Sequence, residues 1–363
     1  MKTKILAIGL IVLAILASGC ATQKKDTVKI GALVDLTGSG AFIGNSYLDG
    51  LKIAQQEINN SGGINGVKIE LIVEDNKNLA TEGITAFNTV KLKNPEIIIS
   101  TMSVPTVAIS PLAKQGTPLF VSLVFADVVS KNENSASFFS RAEDDAKASI
   151  ADMDIGSIKK AAVLYINNEY GKASAEAFVK EAKMHGIEII SEETFLGEAN
   201  DFSTPLLKLL ESKPEAIYIA ALNSIPIISQ IKTRQDYPKI YTNMIPVCGN
   251  LIYKSPEIFN NVHLTALKVS IENSGQYSEF REKAKNQVNL EGNSLGYTAV
   301  AYDNLHAIAD ILSKNNDPVQ FVKTFSTYGQ FQGITGSYDF LNRDIGMALY
   351  PVVFKDGKIQ EVK

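Results

Sequence analysis

The chain has few of the residues that build disulfides and metal centres. Its 363 residues include two cysteines, Cys20 and Cys248, and three histidines spread along the sequence. Two cysteines at such different places give no disulfide framework. A lone internal cysteine such as Cys248 is more often a small buried hydrophobic residue than a nucleophile. Scattered histidines support neither a metal site nor a Cys–His catalytic pair.

A surplus of positive charge is also missing. Lysine and arginine together number 35 against 39 aspartates and glutamates, and the net charge is −4. Nucleic-acid binding needs a basic face, so we expect no such partner. The acidic pairs Asp144-Asp145 and Glu192-Glu193 are typical of solvated helix or strand faces. We therefore expect no catalytic residues, no metal and no cofactor, and a protein that is not an enzyme.

The N-terminus has the pattern of an export signal. Lys2 and Lys4 precede an apolar run from Ile5 to Ala17, and small residues then lead to Cys20. The run is short for a membrane span, and a basic start with a small-residue exit is typical of a signal peptide. The exit resembles a prokaryotic lipobox, whose cysteine receives diacylglycerol. A plain secreted protein or an uncleaved anchor are the alternatives.

This pattern predicts a lipoprotein signal peptide over residues 1–20 and lipidation of Cys20. Residues 21–27 are polar and predict a short flexible tether. The folded part is then expected outside the cytoplasm, lipid-anchored to the cell membrane through acylated Cys20.

Apolar runs alternate with amphipathic stretches along the rest of the chain, which predicts βαβ units and an α/β fold. The runs are Val28–Leu36, Lys68–Glu74, Glu96–Ser100, Pro118–Ser122, Ala161–Ile166, Glu188–Phe195, Ala216–Ala221 and Val262–Leu267. They are too many for one open sheet, so we expect two doubly wound lobes. Gly296–Leu312 has apolar residues at helical spacing and predicts a helix packed on the core.

The glycine-rich loop Thr37–Gly44 follows the first predicted strand. It resembles a dinucleotide fingerprint with its third glycine one position late. A nucleotide-dependent enzyme is the alternative, and a flexible turn lining a cleft is the preferred interpretation.

Two further loops follow buried strands, at the edge where ligands bind in open α/β sheets. Ser100–Pro105 offers hydroxyls and backbone N–H groups at a helix start, which suits a carboxylate but is equally explained by helix capping. In Ser122–Asp127, the apolar Val124 and Phe125 are either core residues or the wall of a pocket.

Several segments, in this order and spacing, resemble the solute-binding proteins of ABC importers for branched-chain amino acids, the Leu/Ile/Val-binding type. They are Val28–Leu33, Gly62–Leu71 with Glu74-Asp75-Asn76, Tyr170-Gly171-Lys172, Asp201-Phe202, Ala301-Tyr302-Asp303, Phe331–Gly336 and Phe354–Lys358. The resemblance covers nearly the whole chain after the signal peptide.

The resemblance implies the type I periplasmic-binding-protein fold: two Rossmann-like doubly wound lobes, a ligand cleft between them and three crossover segments. Lobe 1 would span 28–143 and 272–338, and lobe 2 would span 144–271 and 339–363. Closure of the lobes on a small-molecule ligand would present a surface to an ABC permease and its ATPase, and a monomer is expected. A ligand-sensing lipoprotein that acts on a membrane receptor is the alternative function.

The resemblance also assigns ligand contacts. They are Thr101, Met102, Ser103, Val124, Phe125, Ala126, Tyr170, Leu222, Asn223, Pro246 and Val247. The serine-rich loop of the family, which holds the amino-acid carboxylate, aligns with Thr101 to Ser103.

The family's acid that pairs with the ligand ammonium aligns with Pro246. Either Asp127 or Glu169 replaces it, or the ligand carries no α-ammonium, because a buried ammonium without a counter-charge is costly. A small carboxylate, an amide or an aromatic acid is then the expected ligand, with a hydrophobic amino acid as the alternative.

Overall fold

The computed structural model describes residues 26–362, except residue 198, residues 272–275 and residues 288–294. The expected signal peptide and the expected lipidation site at Cys20 lie outside these residues. In the described part of the chain, no helix has both the length and the apolar character that crossing a bilayer requires.

The strands are β1 (Thr27–Val34), β2 (Lys68–Asp75), β3 (Ile97–Thr101), β4 (Leu119–Ser122), β5 (Ser135–Phe138), β6 (Lys160–Ile166), β7 (Glu188–Phe195), β8 (Ala216–Ala220), β9 (Lys239–Thr242), β10 (Val262–Leu267), β11 (Gly329–Gln332), β12 (Ser337–Phe340), β13 (Asp344–Ile345), β14 (Leu349–Lys355) and β15 (Lys358–Glu361).

The helices are α1 (Ala41–Asn60), α2 (Ala80–Lys91), α3 (Ser103–Ile109), α4 (Ala142–Ile155), α5 (Glu169–Met184), α6 (Ser203–Glu211), α7 (Ile225–Lys232), α8 (Ile245–Cys248), α9 (Leu251–Lys254), α10 (Pro256–Phe259), α11 (Lys268–Ile271), α12 (Gln276–Lys285), α13 (Leu295–Lys314) and α14 (Phe321–Phe325). Short 3₁₀ turns lie at Ser110–Ala113 and Pro318–Gln320.

Six parallel strands form the first sheet, in the order β13-β5-β4-β3-β1-β2. β2 lies on one side of β1, and the chain then crosses to the other side, where β3 pairs with β1. The central strand β3 is buried throughout, as expected when helices cover both faces of a parallel sheet.

The second sheet repeats this winding. Its order is β15-β14-β10-β9-β8-β6-β7, so β7-β6-β8-β9-β10 corresponds to β2-β1-β3-β4-β5. The strands from β6 to β10 are parallel, while β14 and β15 add antiparallel strands at one edge. The predicted α/β fold with two doubly wound lobes is confirmed.

The chain passes between the two sheets three times. It leaves the first sheet after β5, returns between β10 and α13, and crosses again before β14. The expected last boundary, after residue 338, is wrong: β13 pairs with β5 through Asp344–Ser137 and Ile345–Phe138, so these residues belong to the first sheet. A two-residue strand carries no periodicity that a sequence pattern could reveal.

Close packing of α1 on α13 completes the first lobe. Gly50 lies so near α13 that a Cβ there would come within 2.1 Å of the Thr298 carbonyl oxygen. The Tyr47 hydroxyl donates to Asn304 Oδ1 at 2.7 Å, and Asn304 Nδ2 donates to the Phe138 carbonyl at 3.0 Å. These bonds join both helices to the end of β5, next to a crossover.

Asp303 anchors the turn between β11 and β12 to α13. Its carboxylate accepts hydrogen bonds from the N–H groups of Ile334 and Thr335, at 2.8 and 2.7 Å, and from the Thr335 hydroxyl at 2.5 Å. The side chain is almost completely buried. Burial raises the pKa of Asp303 to about 6, although its hydrogen bonds oppose the shift.

We expect Asp303 to give the protein a pH-dependent stability. The unfolded chain releases this proton near pH 3.8, whereas the folded chain holds it up to about pH 6. The free energy of unfolding should therefore decrease as the pH rises through this window. In Asp303→Asn this decrease should become smaller, and stability at neutral pH should fall by about 1–3 kcal/mol because the turn loses an acceptor.

Urea unfolding at a series of pH values measures both effects. Asp339→Asn is the matched control, because Asp339 is exposed on β12. If the free energy of unfolding of Asp303→Asn depends on pH as it does in the wild type, Asp303 is not a source of the pH dependence.

Candidate functional site

A small cavity lies between the two lobes, at the carboxyl ends of the parallel strands. This is where the crevice of a doubly wound sheet forms. Its wall contains Ile43, Asn78, Met102, Ser103, Leu123, Phe125 and Phe139 from the first lobe, Asn168, Tyr170, Leu222, Met244 and Ile245 from the second, and Tyr297 from α13. The cavity volume is about 30 Å³, which is room for about one or two water molecules.

Ser103 is the best-placed polar group in this wall. Its Oγ accepts hydrogen bonds from the backbone N–H groups of Phe125 at 3.1 Å and Ala126 at 3.3 Å. The hydroxyl thereby joins the loop after β3 to the loop after β4. Because Oγ acts as the acceptor in both bonds, its own proton is available to donate to a ligand oxygen.

The backbone of these two loops is held in an unusual conformation. Met102 has φ 69° and Leu123 has φ 58°, and both residues line the cavity. Non-glycine residues at positive φ are uncommon and cost about 1–3 kcal/mol each, and they cluster at functional sites. The surrounding contacts must therefore over-determine the path of both loops.

Aromatic rings close the cavity from both lobes. The Phe125 ring lies 5.6 Å from the Tyr170 ring and 6.1 Å from the Phe139 ring, measured between centroids. The Tyr170 hydroxyl accepts a hydrogen bond from Asn243 Nδ2 at 2.5 Å, which fixes the tyrosine against the second lobe. Burial raises the pKa of Tyr170, so its hydroxyl stays neutral.

None of the described residues in the cavity wall is charged. The nearby buried acid Asp145 accepts hydrogen bonds from Tyr218 at 2.6 Å, from Thr265 and from the Met244 N–H group. Burial raises the pKa of Asp145. These three donors come from β8, β10 and the loop after β9, so Asp145 links the three elements behind the cavity wall. Its bond to the Met244 N–H group fixes the position of Met244.

The glycine-rich loop does not present its N–H groups to a phosphate. The N–H groups of Gly38 and Gly40 donate to the Asp35 carboxylate at 2.7 and 2.6 Å. Burial raises the pKa of this acid, and the two N–H groups oppose the rise. The protein's own carboxylate thus occupies the donors that a pyrophosphate would need, which supports the interpretation of the loop as a turn beside the cleft.

The structure brings some of the predicted ligand residues together and separates others. Met102, Ser103, Phe125, Tyr170 and Leu222 share the cavity wall. Outside it lie Thr101, Val124, Ala126, Asn223, Pro246 and Val247.

Four of the residues outside the wall have other contacts that account for their position. Thr101 donates its hydroxyl proton to the Leu33 carbonyl at 3.0 Å. Val124 packs in the core beneath the first sheet, and Val247 packs in the core of the second lobe. The Asn223 side chain accepts from the Ile225 N–H group at the start of α7. In place of Pro246, the preceding residues Met244 and Ile245 face the cavity.

Asp127 and Glu169 do not supply a carboxylate to the cavity. Both side chains are exposed. Asp127 accepts hydrogen bonds from the N–H group and the hydroxyl of Ser130, within its own turn. Neither residue belongs to the cavity wall.

Sequence reasoning missed several wall residues: Ile43, Asn78, Leu123, Phe139, Asn168, Met244, Ile245 and Tyr297. Asn78 and Asn168 follow the ends of β2 and β6, so the rule that ligands bind beyond strand ends could have identified them. Asn168 also caps α5, because its Oδ1 accepts from the Gly171 N–H group at 3.0 Å. Tyr297 belongs to the helix predicted over Gly296–Leu312, and the packing of α13 brings it to the cleft.

Sequence comparison gives a match over almost the whole described chain. The profile of the family described as "Periplasmic binding protein" matches residues 27–357. A Leu/Ile/Val-binding protein homolog of Brucella melitensis biotype 1 is 24% identical over 212 residues, which is 57% of this chain and 57% of that protein. The chain spans 64%, 57% and 53% of the length of three curated relatives that it matches.

Solved structures share the fold. The branched-chain amino acid transporter substrate binding protein LivJ from Streptococcus pneumoniae, in complex with isoleucine, has a TM-score of 0.80 at 22% identity, covering 92% of this chain and 98% of that one. A solute binding protein of an ABC transporter from R. palustris, in complex with 4-hydroxybenzoate, has a TM-score of 0.81 at 16% identity, covering 93% and 96%. At these identities the likeness establishes the fold alone.

We expect Ser103→Ala to lower the free energy of unfolding by about 1–3 kcal/mol, because the N–H groups of Phe125 and Ala126 would lose their acceptor. Ser110→Ala is the matched control, since Ser110 is also buried and lies outside the cavity wall. Chemical denaturation of both variants measures the difference. Equal stabilities would mean that Ser103 does not hold the two loops together.

Proposed function

The chain belongs to the periplasmic binding protein family, as its resemblance to the Leu/Ile/Val-binding type predicts, and on this premise we propose that it captures a small organic acid between its lobes. Delivery of this ligand to an ABC permease and its ATPase follows from that role. The observation that supports the choice of ligand is the uncharged cavity wall with one well-placed hydroxyl, that of Ser103.

The ligand carboxylate is assigned to Ser103 and to the start of α3. The Ser103 hydroxyl donates to one oxygen, and the N–H groups of the neighbouring backbone supply further donors at the end of β3. A carboxylate at this place would also compete with Ser103 Oγ for the N–H groups of Phe125 and Ala126. The loops after β3 and β4 would then respond to ligand together.

The ligand is assigned to acids without an α-ammonium group. An ammonium in this cavity would be buried without a carboxylate partner, which costs several kcal/mol. The apolar and aromatic walls suit an unsaturated ring, and a carboxylic acid such as a benzoate presents only one charge to satisfy. The R. palustris protein with 4-hydroxybenzoate carries such a ligand on the same fold.

The family implies a place outside the cytoplasm, and the lipobox-like exit at Cys20 supports a lipid anchor there. A tethered monomer remains within reach of its permease, whereas a free binding protein would diffuse away. Lobe 1 is assigned to residues 28–143 and from 272 to the end of β13, and lobe 2 to the rest of the fold. The role is that of a binding protein and not an enzyme.

A thermal-shift series tests the ligand. We expect benzoate and 4-hydroxybenzoate to raise the melting temperature more than leucine, isoleucine or valine. Ligand at about 100 times its Kd should stabilise the folded state by about 2.7 kcal/mol. Ser103→Ala should weaken binding by about tenfold, or about 1.4 kcal/mol, and Ser110→Ala should leave it unchanged.

Two outcomes would contradict this proposal. If a branched-chain amino acid gives the largest shift, the argument from the missing counter-charge is wrong. If neither acids nor amino acids shift the melting temperature, the binding role in this cavity is wrong.

The anchor is tested by Cys20→Ser. The full chain should partition to the membrane fraction after expression and should incorporate labelled fatty acid, whereas Cys20→Ser should do neither. Cys248→Ser is the matched control, because Cys248 is buried in the folded domain. Fatty-acid labelling that persists in Cys20→Ser would show that the lipid is attached elsewhere.

A further inference from the structure

Two asparagine side chains belong to the cavity wall, one from each lobe. Asn78 follows the end of β2 in the first lobe, and Asn168 follows the end of β6 in the second. A carboxamide combines an acceptor oxygen with a donor nitrogen, and either group is costly to bury without a partner. The hydrogen bonds that each amide already makes decide which of its two ends is left for a ligand.

The Asn168 amide is oriented by the helix that it caps. Its Oδ1 accepts from the Gly171 N–H group at 3.0 Å, and its backbone N–H group donates to the Ile166 carbonyl at 2.8 Å. Only the oxygen of an amide can accept from a backbone N–H group, so the remaining end is Nδ2. No described residue accepts a hydrogen bond from Nδ2. The second lobe therefore offers a donor.

The Asn78 amide is left with the opposite end. Its Nδ2 group donates to Ser39 Oγ at 3.1 Å, whereas Oδ1 accepts from none of the described residues. Asn78 is only 9% exposed, so an acceptor without a partner is costly there. Its backbone has φ 53°, and Lys77 before it has φ 49°. Such unfavourable conformations cluster at functional sites.

Asn76 fixes the position of Asn78 relative to Ser103. The Asn78 N–H group donates to Asn76 Oδ1 at 2.9 Å. Asn76 Nδ2 donates in turn to the Thr101 carbonyl at 3.2 Å, two residues before Ser103. Asn76 is completely buried, and a close-packed interior restricts its movement. The Asn78 amide and the carboxylate position proposed at Ser103 are therefore held at a set spacing within the first lobe.

An acceptor on one lobe and a donor on the other match a hydroxyl group. A hydroxyl donates one proton and accepts through its lone pairs, so it can bond to both amides. A carboxylate only accepts, and it would be repelled by the Asn78 oxygen. An ammonium only donates, and it would leave the Asn168 donor without an acceptor. Of these three groups, only the hydroxyl satisfies both ends.

We propose that Asn78 and Asn168 form a hydroxyl subsite, which makes the preferred ligand a hydroxylated aromatic acid. This inference rests on the proposed binding of an organic acid at Ser103. Asn78 Oδ1 accepts the O–H proton of the ring substituent, and Asn168 Nδ2 donates to its oxygen. The cavity of about 30 Å³ is too small for a ring, so the lobes part to admit one, and the amides then hold the hydroxyl from both sides.

Ligand pairs that differ in one group test the subsite. We compare 3-hydroxybenzoate and 4-hydroxybenzoate with 3-methylbenzoate and 4-methylbenzoate, in which a methyl group of similar size replaces the hydroxyl. In the wild-type protein, at least one hydroxybenzoate should bind about tenfold or more tightly than its methyl counterpart, because the methyl group leaves both amides unpaired. Calorimetric titration gives the Kd values, and their ratio measures the preference for the hydroxyl.

Substitution of either amide should lower this ratio by at least about threefold. Asn78→Gly removes the acceptor, and glycine adopts φ 53° without strain. Asn168→Ser still caps α5 but is too short to donate from the position of Nδ2. Asn167→Ala is the matched control and should keep the wild-type ratio, because Asn167 is exposed and lies outside the cavity wall. A general loss of stability does not change a ratio of two ligands on one protein.

Three results would overturn the inference and leave the proposed function intact. Acids could bind with no hydroxybenzoate preferred over its methyl counterpart. Folded Asn78→Gly or Asn168→Ser could keep the wild-type ratio, with folding checked by circular dichroism and Asn78→Ala in reserve if Asn78→Gly does not fold. Asn167→Ala could lower the ratio equally. If the wild-type protein binds none of the acids, the proposed function fails, and the hydroxyl subsite fails with it.

Discussion

The cleft depends on one hydroxyl oxygen that accepts two backbone protons. Ser103 Oγ accepts hydrogen bonds from the N–H groups of Phe125 and Ala126. It thereby joins two loops that each contain a residue at positive φ, Met102 in one and Leu123 in the other. Without this junction the strained residues would relax and the aromatic wall would lose its backbone support. In the proposed complex, a ligand carboxylate at Ser103 would therefore act on the same atom that sets the conformation of both loops.

Most of the fold was predictable because buried parallel strands are continuous apolar runs. The segment predicted over 68–74 is the strand Lys68–Asp75, and that over 216–221 is Ala216–Ala220. Ser135–Phe138 and Lys239–Thr242 escaped prediction because each has four residues, with polar ones among them. The pairing of Asp344–Ile345 escaped it because its partner lies two hundred residues earlier in the chain.

Site residues could be predicted from the sequence only where a loop directly follows a predicted strand. Ser103 and Phe125 follow the ends of β3 and β4, and both reach the cavity as the strand-end rule requires. Alignment placed the second-lobe contact at Pro246, whereas Met244 and Ile245 form the wall. Such a shift cannot be corrected from the sequence, because the turn after β9 decides which side chain faces inward. Met244 and Ile245 are uncharged, as Pro246 is, so this part of the wall contains no acid in either alignment.

Asp35 determines whether the N–H groups of the glycine-rich loop are available to an anion. Its carboxylate already occupies the N–H groups of Gly38 and Gly40, the donors that make such loops attractive to inorganic anions. A phosphate or sulfate ion that entered would have to displace a buried acid and leave it without donors, and it would meet negative charge at close range. The two glycine N–H groups are therefore satisfied within the protein itself, and the turn beside the cleft does not offer this pair of donors to an anion.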